Sequence, residues 1–72
     1  MSEETKQVEF VSFCIEAFAK AKGMPGAEVC ALFVRFGVLD YLHRGYDVLH
    51  TMGEIWLVAD IEEFLKLRGY AA

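Results

Sequence analysis

Apolar residues recur at helical spacing through the first third of the chain, at Val8, Phe10, Val11, Cys14, Ile15, Ala17, Phe18, Ala19 and Ala21. Projected at ~100° per residue they fill a continuous arc of roughly 200°, and Glu9, Ser12, Glu16 and Lys20 occupy the other side. The pattern predicts a helix from about Ser2 to Lys22, with Glu3 and Glu4 at its start, Lys20 and Lys22 at its end, and Gly23 as its stop. An ordinary surface helix needs an arc of only about 100°, so this one requires cover on two sides. It is either the central helix of the monomer or a helix shared with a second copy.

Pro25 suits the first turn of a second helix, where its missing N–H costs nothing, and Val29, Leu32, Phe33 and Phe36 then share one face as far as Gly37. Glycines follow at 37, 45 and 53, leaving room for two very short helices between them. Helices of that length are unstable alone, so packing by Val38, Leu39, Tyr41, Leu42, Val48, Leu49 and Met52 must hold them. The run Ile55-Trp56-Leu57-Val58 fits a strand or a buried helical turn equally well by period. Asp60 with Glu63 three residues on has capping-box spacing, which places extended or irregular backbone at 54–59, a last helix at 61–68 and a loose tail at 70–72. The predicted fold is all-α or nearly so: one small domain over 1–72, a bundle of four to five helices, two of them very short. One extended segment near 55–58 is allowed, and the first helix is the packing centre.

Composition adds a surplus. A chain of 72 residues buries only about 60% of the surface its unfolded form exposes. Yet 56% of these residues are hydrophobic without counting glycine, against about 45–50% with glycine in an average domain. Some of that surface is expected to meet another chain. The net charge of −4 and the single Arg in the would-be recognition helix argue against nucleic acid, although residues 27–44 have a helix-turn-helix outline. The start Met1-Ser2-Glu3-Glu4 is acidic, unlike a secretory signal, and runs such as Val29 to Val34 fall short of the ~18–20 apolar residues that span a bilayer. The expected location is the cytoplasm, away from any membrane. Cys14 and Cys30 are expected as buried, reduced thiols at different heights on two antiparallel helices.

Candidate chemistry centres on a doubled motif, Asp40-Tyr41-Leu42-His43 and Asp47-Val48-Leu49-His50. Two carboxylates and two imidazoles at Asp40, His43, Asp47 and His50 could hold a metal or small ligand if they converged. Gly45 interrupts the helix between them, so convergence is not guaranteed. The plainer reading makes Leu42 and Leu49 core, the Asp residues helix flanks, and the His residues partners of backbone carbonyls or solvent. Ser2, Ser12 and the two cysteines lack the neighbours of an activated nucleophile, and the glycines are too far apart for a phosphate loop. No enzymatic activity and no cofactor are expected. Protein association remains. One Trp, three Tyr and six Phe supply the residue types that anchor interfaces, and the expected contact residues are Tyr41, Tyr46, Asp47, His50, Thr51 and Trp56. A homodimer and a different protein partner are both allowed. An extended Ile55–Val58 could also pair with a strand from another chain.

Over nearly its whole length the chain resembles a family of short, uncharacterised bacterial proteins. The resemblance is carried by Leu32-Phe33, by Gly37-Val38-Leu39-Asp40-Tyr41-Leu42, by Tyr46-Asp47-Val48-Leu49-His50-Thr51 with Gly53, and by Val58, Asp60 and Ile61 ahead of Gly69. The segment from Tyr46 to Gly53 is the most specific part. Pro25 departs from the small polar cap that relatives prefer. Members are often encoded beside a protein like an ADP-ribosyltransferase, an arrangement reminiscent of toxin and antitoxin pairs. The resemblance therefore implies a small accessory or neutralising partner protein, and it carries over no catalytic residues.

Overall fold

A computed structural model describes residues 2–71, and its helices follow directly from their end residues. Helix α1 runs Glu3–Lys22. Ser2, in extended backbone, accepts the Thr5 N–H with its hydroxyl, and Gly23 closes the far end at φ 63°. Helix α2, Gly26–Phe36, starts one residue later than expected because Pro25 is its extended N-cap, outside the first turn. Gly37 ends α2 at φ 76°, a left-handed conformation that costs a side-chain-bearing residue about 1–2 kcal/mol, and at once begins α3, Val38–Arg44. Helix α4 is a single turn, Tyr46–Leu49, and α5 spans Glu54–Leu67. No strand forms among the described residues.

The main correction concerns α5. Residues 54–59 are helical, and Asp60 lies well inside the helix instead of capping it. Gly53 is the N-cap, in extended backbone at ψ 160°, and Glu54 supplies the acidic first turn. Starting there, Leu57, Ile61 and Leu65 fall at i, i+4 and i+8 and are all fully buried. That spacing settles what a four-residue apolar run could not. It also removes strand pairing at 55–58, since helical backbone presents no extended edge to a partner strand.

α1 is the packing centre: α2, α3 and α5 all lie against it. Cys14, Ala17 and Phe18 face inward, with Phe10, Val11, Ile15 and Ala19 half-buried beside them. Val29 and Phe33 of α2 meet this face, and the Phe18 and Phe33 rings pack edge to face at 5.5 Å. Val38, Leu42 and Leu49 bring the two short helices onto the same core. Two expected core residues lie elsewhere. Val48 is 70% exposed, because one turn of helix that seats Leu49 turns its neighbour about 100° away. Cys30 is exposed for the same reason, being next to buried Val29. Nor is the start of the tail loose: the Tyr70 N–H donates to the Leu65 carbonyl at 3.0 Å and its ring packs on Phe36 at 5.6 Å. Ala72 lies outside the described residues.

Candidate functional site

The expected contact residues divide into three settings. Tyr41, from the middle of α3, stacks on Phe64 of α5 at 4.3 Å and donates its hydroxyl to the Asp60 carboxylate at 2.5 Å. Burial, the hydrogen bond to Asp60 and that carboxylate's charge together push the phenol up to about 12. Arg68 lies over the other ring of the stack, 4.7 Å from the centre of Phe64. Tyr41 is thus a half-buried clasp between two helices. Its partners Phe64 and Asp60 were not legible as such, because a capping-box reading had assigned Asp60 to backbone.

The segment from Tyr46 to Gly53 is organised by its own side chains. The Tyr46 ring takes the edge of Phe10 from α1 at 5.4 Å and carries the His50 ring stacked on it at 4.6 Å. His50 Nδ1 donates to the Tyr46 carbonyl at 2.6 Å, and Thr51 Oγ1 donates to the Val48 carbonyl at 2.7 Å. The backbone N–H groups of His50 and Thr51 donate to the same two carbonyls, Tyr46 and Val48, at 3.0 and 3.2 Å, so each side chain adds a second hydrogen bond where its own backbone already makes one. Gly53 then caps α5. The Tyr-Asp-x-Leu-His-Thr-x-Gly spacing is therefore the wiring of a tight helix–turn–helix corner. His50 and Thr51 are exposed but engaged, and Asp47 is exposed with no ion-pair partner among the described residues.

The doubled Asp-x-Leu-His does not converge. Asp40 pairs with Arg44 at 3.0 Å, His43 lines a surface groove, Asp47 faces solvent and His50 is bound to Tyr46. Among the described residues no three His, Cys, Asp or Glu side chains gather in a metal-binding arrangement. Of the two thiols, Cys14 is fully buried and desolvation pushes it up to about 12, away from the reactive thiolate.

Trp56 is 71% exposed and its neighbour Ile55 is 82% exposed. The Trp56 ring leans over the α4–α5 turn, within 4.0 Å of where a Cβ on Gly53 would stand. Leu67 at 78% and Val48 at 70% are similarly open. A helical projection from Leu57, Ile61 and Leu65 places Ile55, Trp56, Ala59, Glu63 and Leu67 on the outer side of α5. That helix is apolar on two faces, and only one meets the core. A second apolar feature is a groove of about 430 Å³ between α1 and the α3–α4 corner, lined by Val8, Phe10, Val11, Leu39, Leu42 and Tyr46 among others. Sequence reading missed Ile55, Val48 and Val8 as surface residues. A start at Gly53 would have exposed the first, since Ile55 then falls nearly opposite Ile61 and Leu57.

No described helix is long and apolar enough to cross a membrane. No curated protein and no solved structure matches the chain. Residues 9–68, from the first half of α1 to just beyond α5, match the family described as protein of unknown function (DUF3791), and the chain belongs to that family.

Proposed function

We propose that this chain is a small cytoplasmic protein-binding module whose client docks on the surface formed by residues 38–58. The observation that carries the reading is the outward display of Val48, Ile55 and Trp56 on structured helices. Trp is among the residue types richest in interface energy, and exposed apolar surface on a small domain marks contact with something else. Tyr41, Tyr46, His50 and Thr51 serve this surface indirectly, by holding the corner from which it projects, while Asp47 and Trp56 are free to touch a partner.

The resemblance drawn from the sequence supplies a candidate client, a protein like an ADP-ribosyltransferase, for which this chain would be an accessory or neutralising subunit. Isolation of the chain from its own cells tests the reading: a single stoichiometric partner is expected, and recovery alone as a monomer would refute it. The groove beside Val8 favours a second reading, a self-associating module. Light scattering that shows a dimer at micromolar concentration, with no other protein bound, would select it.

A further inference from the structure

We infer that the arginines gathered around Gly37 bind a phosphate monoester of a small organic molecule. This site is independent of the docking surface proposed above. Arg35, Arg44 and Arg68 are all the arginines of the chain, and they come from α2, α3 and the end of α5. The fold brings them to two adjoining hollows of about 490 and 390 Å³ that share Gly37 and Arg68 in their walls. Arg35 lines the first hollow and Arg44 the second. Among the described residues Asp40 is the one carboxylate in either wall, and Arg44 pairs with it at 3.0 Å. The hollows therefore present an excess of two positive charges in a chain whose net charge is −4.

Arg35 and Arg68 are the unpaired members. Neither enters an ion pair or a side-chain hydrogen bond among the described residues. Nor do the helix ends occupy them. The Gly37 N–H caps the Phe33 and Val34 carbonyls of α2, and the N–H groups of Arg68, Gly69 and Tyr70 cap those of Phe64, Leu65 and Lys66 in α5. Each guanidinium is instead seated on a ring, Arg35 at 5.5 Å from the centre of Phe36 and Arg68 at 4.7 Å from that of Phe64. Stacking restrains the stem and keeps the in-plane N–H donors available.

Two free forks and two charges select the ligand. A carboxylate carries one charge and answers one fork, whereas a phosphate monoester carries about −1.5 to −2 at pH 7 and offers three oxygens to both. Free phosphate would fill only the first hollow. The second, walled by Tyr41, Gly45, Phe64 and the Asp40–Arg44 pair, has the space and the mixed lining for an organic part. Gly37 has no side chain to divide the two, and Arg68 Nη1 stands 3.7 Å from where its Cβ would be, at their junction.

Phenyl phosphate is the probe, titrated calorimetrically into the full chain in a buffer free of phosphate and sulfate. Half-saturation is expected below about 1 mM, with inorganic phosphate several-fold weaker and phenol not bound. Arg35→Gln and Arg68→Gln should each weaken binding by about tenfold or more. Lys6→Gln, which removes the same charge outside both hollows, should leave it unchanged. All three positions are exposed, so the fold is expected to persist, and circular dichroism will verify it. The Gly37 amide resonance should move on saturation. Failure to reach half-saturation below about 1 mM, unchanged binding in either Arg variant, or an equal loss in Lys6→Gln overturns the inference. Inorganic phosphate that binds as tightly as phenyl phosphate overturns the organic ester, since the second hollow then contributes nothing.

Discussion

Gly45 shows how one missing methyl group can shape the protein. Its backbone is ordinary, at φ −94°, so the need for glycine is spatial: a Cβ would stand 2.8 Å from Leu49 Cδ1 and 3.3 Å from the Tyr41 carbonyl. Leu49 is buried and has little room to yield, so Gly45→Ala should cost about 1–3 kcal/mol in urea unfolding despite the better helix propensity of alanine. Gly26→Ala meets open space and should be neutral or slightly stabilising in the same assay. Tyr41→Phe leaves the Asp60 carboxylate without its hydroxyl donor, and a loss of about 1–2 kcal/mol is expected. Cys14 and Tyr41 also predict an alkaline limb. Both hold their protons to about 12 in the folded protein, while the unfolded chain releases them from about 9 and 10. The unfolded state is therefore favoured progressively as pH rises, so stability is full below about pH 9 and falls from there to about pH 12. Cys14→Ala should abolish the loss between about pH 9 and 10 and roughly halve its slope from about pH 10 to 12, and urea midpoints measured across the range will show whether it does.

Among the helices, α1 and α2 were legible because glycines and charge bias marked their ends and a wide apolar arc marked their role. The two short helices were legible from the spacing of Gly37 and Gly45. The first turn and a half of α5 was not. Four consecutive apolar residues carry no period, and the Asp60–Glu63 pair mimicked a helix start seven residues too late. What decided the matter was tertiary: Leu57 belongs with Ile61 and Leu65, and a strand at 55–58 would have separated them. The expected contact residues fared similarly. The exposure of Trp56 follows from the start of α5 at Gly53, and the local hydrogen bonds of His50 and Thr51 depend on carbonyls that only the folded corner presents. A pair of adjacent substitutions checks the helical assignment. Leu57→Ala should destabilise by about 2–5 kcal/mol, enough to unfold much of so small a domain, whereas Trp56→Ala should stay within about 0.5 kcal/mol. Similar losses at the two positions would mean that both are core and that the outer face has been misplaced.

The molecule as a whole is a thin core with apolar residues left over. Among the described residues eleven buried hydrophobic side chains make up its interior, and seven large ones remain substantially exposed. The exposed set is not scattered at random along the chain, since Val48, Ile55 and Trp56 fall within nine residues that carry acidic charge and no lysine or arginine. The proposed function assigns this leftover apolar surface to another chain, and the net charge of −4 works against association of like copies. The most direct test compares the wild type with an Ile55→Ser, Trp56→Ser variant, each isolated from the native cells and weighed by light scattering. The wild type should emerge with a stoichiometric protein partner, and the equally folded variant should emerge alone. A folded variant that keeps the partner, or a wild type that is a lone monomer, would contradict the assignment of this face as the binding surface.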